Sequence, residues 1–227
     1  MTGQPDERVQ VDAVPELLTA SARIPRRRVA TVVIVAMLAV LWAGWLLVAA
    51  QQRAEVRVWF DAQAVECRQG VSMVEELGMD PDPVYVHVVE ASPGLDCSLR
   101  VHVENRGLTT ATVRGLALPV HGPDGGAGIR ARELAPLGLF PEEADATGWS
   151  AVEARYRFDH RLEAGERLAL QIGLEFRPEG CAPQGGTLWL TDAPAVEVSA
   201  LGLRGMRTPT GEAYAVRGTR DSDCAGR

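Results

Sequence analysis

Two hydrophobic rhythms divide the chain. From Val29 to Ala50 the sequence VATVVIVAMLAVLWAGWLLVAA is apolar and carries no charge. A helix of about 22 residues rises about 33 Å, which matches the hydrocarbon core of a bilayer. The run therefore predicts a transmembrane helix over 29–50. Beyond Gln51 the rhythm switches to period two, the signature of strands with one buried face. EVRVWFDA sets Val56 and Val58 on one face, and VYVHVV sets Val84, Val86 and Val88 on one face with Tyr85 and His87 on the other. CSLRVHVEN turns Cys97, Leu99, Val101 and Val103 inward and Ser98, Arg100, His102 and Glu104 outward. In RYRFDHRLEAGERLALQIGLEF, Tyr156 and Phe158 face in on one strand, and Leu168, Leu170, Ile172, Leu174 and Phe176 on the next. ATVRGLALPV, TLWLTD, AVEVSALGL and EAYAVRG complete the set.

Turn-forming clusters separate these runs: ASPGLD, ENRG, HGPDGGAG, LEAGE, PEGCAPQGG and RTPTGE. Short alternating strands at this spacing predict a mainly β sandwich or barrel rather than a βαβ sheet. Helical pattern is scarce. VSMVEELGM, Val71–Met79, is expected to form a short helix ending at Gly78, and ARELAPLGLF fits neither period. VYVHVVE and CSLRVHVE are expected to pair as a hairpin across ASPGLD. That hairpin would put His87 and His102 on one non-core face near Glu90 and Glu104, as exposed strand residues, because a diagonal pair cannot complete a metal shell.

The succession CSLRVHVENRG, ATVRGLALPV and LEAGERLALQIGLEF, about residues 96–176, resembles bacterial immunoglobulin-like envelope modules. In those, a strand ends in an Asn-x-Gly turn, and a Pro/Ala-Gly-Glu turn precedes a strongly alternating strand. The sequence departs from antibody-type domains: no Trp follows Cys97 at the usual core position, and no Tyr-x-Cys marks the later strand. The resemblance implies an Ig-like two-sheet antiparallel sandwich with a binding or scaffolding role. It carries over no functional residues.

Charge sets the topology. Arg23, Arg26, Arg27 and Arg28 precede the apolar run, whereas Arg53 and Arg57 follow it with Glu55 between them. The positive-inside bias places the N-terminus in the cytoplasm and residues 51–227 outside. Trp42 and Trp45 fall in the outer half, where indole rings favour the interface. The run starts late and exceeds the 7–15 apolar residues of a signal peptide, so it reads as an uncleaved anchor, although VAAQQ ends like a cleavage site. Ala39 and Ala43 beside Gly44 offer a small-residue helix contact. Residues 1–28, polar and carrying Pro5, Pro15 and Pro25, read as a disordered cytoplasmic tail.

The net charge is -7, of which the tail contributes +1 (five Arg against Asp6, Glu7, Asp12 and Glu16), leaving -8 beyond the span. An acidic domain argues against nucleic acid as a partner, since phosphate binding needs clustered basic residues. There is no Lys and a single Asn, Asn105, the composition of a GC-rich genome such as an actinobacterial one. Asn105 is followed by Arg and Gly and forms no glycosylation sequon.

Cys67, Cys97, Cys181 and Cys224 all lie beyond the span. In an oxidising exterior they read as two disulfides, with three connectivities open. Cys67–Cys97 with Cys181–Cys224 is favoured. The first would tie the segment after Cys67 to the sheet, and the second would pin the C-terminal tail to the end of a strand. Without Cys-x-x-Cys or His at ligand spacing, a zinc site is not expected. HGPDGGAG lacks the following helix and basic residue of a phosphate loop and reads as a flexible hairpin connection. No nucleophile elbow, His-Glu-x-x-His or Ser-x-x-Lys occurs, and adjacent Asp159 and His160 point to opposite faces of a strand.

These features predict a non-enzymatic, cofactor-free binding or scaffolding protein of the cell envelope, held in the cytoplasmic membrane by the bilayer itself and meeting another envelope protein. The alternatives are a sensor or regulator that reports through the short tail, and an envelope enzyme whose site assembles from distant residues.

Overall fold

The computed structural model describes residues 26–60, 63–77, 84–122, 126–142, 152–190, 192–210 and 212–224. Arg23 and the rest of the expected tail to residue 25 lie outside them. The chain forms two compact units, Met1–Gly44 and Trp45–Arg227. Helix α1, Arg26–Ala54, begins in the first and ends in the second. It starts within the stretch expected to be tail, and it runs four residues past Ala50, so QQRA is helical rather than a linker. Neither Gly nor Pro interrupts the last turns. Its apolar side chains from Val32 to Val48, Trp42 among them, are largely exposed, as a lipid-facing helix requires. The helix is long and apolar enough to cross a membrane.

The second unit is a mainly β sandwich of three sheets. In the first, β5 (Asp96–Asn105) pairs antiparallel with β9 (Arg167–Phe176), which pairs with β7 (Ile129–Ala135). The other edge of β5 is shared by β1 (Val56–Trp59), facing His102–Asn105, and β2 (Val65–Gln69), facing Asp96–Leu99. The second sheet has the order β12 (Leu203–Arg207), β11 (Ala195–Ala200), β6 (Ala111–Leu118), β8 (Ala154–Leu162). The third has the order β10 (Thr187–Leu190), β13 (Glu212–Gly218), β4 (Val84–Ala91), β3 (Ser72–Leu77), and β13 and β4 run parallel.

The inward faces read from alternation in β1, β5, β8 and β9 meet in one core, whereas the Val86 and Val88 face of β4, read as the core side, lies outside it. Val56, Val58, Leu99, Val101, Val103, Tyr156, Leu170 and Ile172 are buried in that core with Val198, Tyr214 and Val216. Disulfides join Cys67 to Cys97, across the β2–β5 ladder, and Cys181 to Cys224. Outside the main core, Val86, Val88 and Ala215 are fully buried on the third sheet's other face with Met73 beside them. The Arg217 guanidinium spans this patch, donating to both carboxylate oxygens of Glu75 at 2.6 and 2.7 Å.

Three sequence expectations change. The segment expected to be a helix at Val71–Met79 is strand β3, because Ser72–Leu77 fills the open edge of β4 and edge pairing outweighs weak local helical preference. Gly78 and Met79 lie outside the described residues. The hairpin expected across ASPGLD does not form: β4 and β5 belong to different sheets. His87 and His102 therefore do not share a face. His87 is nearly buried against Phe60, and His102 stacks on Trp59 at 5.2 Å. HGPDGGAG likewise joins β6 and β7 in different sheets and is no hairpin connection; its residues 123–125 are not described.

Candidate functional site

The outer face of the second sheet holds a cleft of about 670 Å³. Strand alternation aims Arg114 from β6, Arg155, Arg157 and Asp159 from β8, Glu197 from β11, and Arg204 and Met206 from β12 toward it. The ladders of β6 with β8 and with β11 both shift register at Arg114, between Val113 and Gly115, and such irregularities bend a sheet. Gly115 permits the close approach at the floor, where a Cβ would sit 2.6 Å from the Tyr156 carbonyl oxygen. The charges are partly paired: Arg114 with Asp159 at 3.3 Å, Arg155 with Glu153 at 3.1 Å, Arg157 with Glu142 at 3.2 Å. Exposed pairs of this kind are weak and exchangeable. Tyr156 lines the floor but belongs to the core: burial raises its pKa, and its hydroxyl donates to the Arg132 carbonyl of the opposite sheet. The described lining is dominated by Arg, Asp and Glu side chains, an arrangement that can meet a polar, charged surface.

A second constellation surrounds the end of α1. Gln52 Oε1 accepts from the Leu108 amide at 2.7 Å, the Thr109 amide at 3.2 Å and the Thr109 hydroxyl at 3.3 Å. Asn105 organises that turn from beneath. Fully buried, it donates to the carbonyls of Thr109 and Leu162 at 2.8 and 2.9 Å and accepts from the Gly107 amide at 3.0 Å. On the other side, Arg53 Nη1 donates to the Arg204 carbonyl at 2.5 Å, and Arg207 Nε donates to the Arg53 carbonyl at 3.1 Å. Arg53 Nε is buried and finds no acceptor among the described residues. Burial, with the Arg53 charge second, lowers the Arg207 pKa. Among the described residues, Arg53, Arg204 and Arg207 form no salt bridge with a carboxylate.

A third polar group is internal. Glu104, nearly buried, receives Arg106 and Arg167, the latter at 2.9 Å. The Arg106 hydrogen bond, supported by Arg167 and opposed by burial, holds its carboxyl below the usual range. His121 is fully buried between the Pro119 carbonyl at 2.7 Å and the Tyr214 hydroxyl at 3.1 Å. A carbonyl only accepts, so Nδ1 carries the proton and Nε2 accepts from Tyr214. Burial pushes His121 down to about 4, so it stays neutral.

Of the residues singled out from sequence, the four cysteines staple the sandwich. Trp42 lies exposed on α1, and Trp45 is part-exposed where α1 enters the second unit. Arg26, Arg27 and Arg28 form the first turn of α1. The cleft arginines, Gln52 and His121 were not singled out. Nothing in local sequence marks them, because their partners lie on distant strands. Only Asn105, the lone asparagine at a strand end, carried a signal.

No family model matches the chain, and no curated protein matches it. Among solved structures it is similar to a structural-genomics target described as SoR45, at 10% identity and TM-score 0.33, covering 72% of this chain and 87% of that one. It is also similar to the ASH/PapD-like domain of human CEP192 (PapD-like domain 7), at 14% identity and TM-score 0.26, covering 68% of this chain and 84% of that one.

Proposed function

We propose that this is a single-pass protein of the bacterial cytoplasmic membrane, N-terminus inside, which presents its sandwich at the outer face and binds a charged segment of another envelope protein in the cleft of the second sheet. The reading rests on one combination: an apolar helix, without charge over residues 29–50, whose C-terminal end runs directly into a disulfide-bonded sandwich with an open, mixed-charge face. The arginine excess before the helix sets the orientation. Protease added to intact spheroplasts is expected to degrade the sandwich; protection of the sandwich there would reverse the topology. Cross-linking in membranes followed by recovery of the protein is expected to yield a partner adduct that the double reversal Arg155→Glu, Arg157→Glu abolishes. An adduct insensitive to that reversal would move the binding surface elsewhere.

One observation favours a second reading, a sensor. Gln52 and Arg53 clamp the end of the helix to two sides of the domain, a direct attachment that a sensor would need. Deleting residues 2–22 separates the two. Loss of a cellular response with the anchor retained would support signalling through the tail, and an unchanged phenotype supports the simple anchor.

A further inference from the structure

The apolar run stops at Ala50, yet the domain reaches back along the helix beyond that point. Within the second unit, Leu46 is half-buried, Ala49 fully buried, and Ala50 and Arg53 half-buried, which is one face of α1. A Cβ placed on Gly202, in the turn between β11 and β12, would lie 4.0 Å from the Trp45 ring. The turn thus stands at the level of Trp45, five residues before the end of the apolar run, or about 7.5 Å along the helix. Helical side chains lean toward the N-terminus, which carries the contact deeper still. The apolar residues before Trp45, Val29–Gly44, measure only about 24 Å as a helix, short of the roughly 30 Å hydrocarbon core. A spanning α1 therefore needs the Trp45 level inside the outer leaflet, and the turn lies there with it.

The turn is built for that place. Ala200 pairs with Leu203 around a two-residue loop, Leu201–Gly202, and both loop residues have positive φ, 49° and 83°. Such a loop in water takes Asn-Gly or Asp-Gly, because the first position penalises other L-residues. Here a leucine occupies it, with its side chain 38% exposed. The stretch Ala200–Leu203 carries no charge, and Arg204 follows it, exposed, with Arg207 three residues on and Arg53 against both. At about 3.3 Å per strand residue, Arg204 stands about 7 Å above Gly202. An apolar tip followed by arginines is the vertical order of an acyl layer followed by phosphates. These three arginines lack carboxylate partners among the described residues, in a domain of charge -8.

We propose that the β11–β12 turn inserts Leu201 into the outer leaflet beside α1, with Arg204, Arg207 and Arg53 at the level of the phospholipid phosphates. The domain then rests on the bilayer at a fixed height and rotation rather than swinging on its anchor. This rests on the membrane-anchor reading above, and the test separates the two. The full chain is reconstituted in nanodiscs of phosphatidylethanolamine and phosphatidylglycerol with p-benzoylphenylalanine replacing, one at a time, Leu201, Leu38 and Phe140. Phe140 is exposed and lies toward the opposite end of the second sheet: Glu142 bonds Arg155, which faces Ala117, six positions from Ala111 beside the turn. Intact disulfides verify folding, and Leu203 serves if the Leu201 replacement fails to fold. Irradiation is expected to give lipid adducts at 38 and 201 and none at 140. Labelling at 38 without 201 would overturn the insertion and leave the anchor standing. Absence of labelling at both 38 and 201 would remove the anchor as well. Protein adducts in place of lipid at 201, or equal labelling at 140, would also overturn the insertion.

Discussion

Two groups of arginines flank the junction of α1 and β1, and they are treated in opposite ways. Arg106 and Arg167 converge on the carboxylate of Glu104, which is nearly buried and whose charge they hold in place. Arg53 donates to the Arg204 carbonyl and Arg207 to the Arg53 carbonyl, and these three arginines pair with no carboxylate among the described residues. The first group shares one carboxylate as its counter-charge and serves the fold. The second has no such counter-charge among the described residues, and burial, with the Arg53 charge second, lowers the Arg207 pKa. Burial and composition alone do not separate the groups; the supply of a counter-charge does.

The most disruptive way to break the comparison is at Asn105, which supports the turn between the two groups. Asn105→Ala removes three hydrogen bonds of a fully buried side chain and leaves their backbone partners unpaired. A loss of about 3 kcal/mol in chemical denaturation of the detergent-solubilised protein is expected. Next comes Glu104→Gln, which keeps shape but removes the charge, and it should cost about 2 kcal/mol at neutral pH. Because the folded-state pKa of Glu104 is depressed, its contribution is complete above the ordinary value of 4.5 and is lost as pH falls through the lower folded value. Wild type and variant should therefore converge in acid. A separate loss sets in at higher pH. His121 is also depressed, from 6.5 to about 4, so the unfolded state gains a proton first and stability falls across that window in both proteins. Pulse proteolysis at stepped pH distinguishes the two limbs.

Gln52→Ala tests the clamp itself and should cost about 1 kcal/mol, since three donors lose one shared acceptor but stand near solvent. The smallest effect sharpens the comparison most. Arg204→Gln removes a charge from the unmatched group and should change stability in detergent by less than about 0.5 kcal/mol, in either direction. A loss as large as that of Glu104→Gln would mean that Arg204 has a structural counter-charge after all.

How much of this was legible beforehand differs by residue. The buried faces of β1, β5, β8 and β9 followed from alternation, because a strand with one wet face must repeat every second residue. The strand Ser72–Leu77 was misread, because six residues with two glutamates satisfy a helical and an edge-strand reading alike. His87 and His102 were set together because neighbours in sequence usually pair, and here the chain crosses between sheets instead. The cleft was invisible, since Arg114, Arg155, Glu197 and Met206 come from four strands that only the sheet order brings side by side.

The sequence by itself determined the apolar helix, the β character of the chain beyond it, and the placing of every cysteine after the span, because these depend on local periodicity and on transfer from water. The tertiary structure alone decided which strands share a sheet, that α1 continues through Gln52 and Arg53 into the domain, and that the Leu201 turn stands beside Trp45. Those depend on contacts between residues far apart in the chain, whose energies no local window contains.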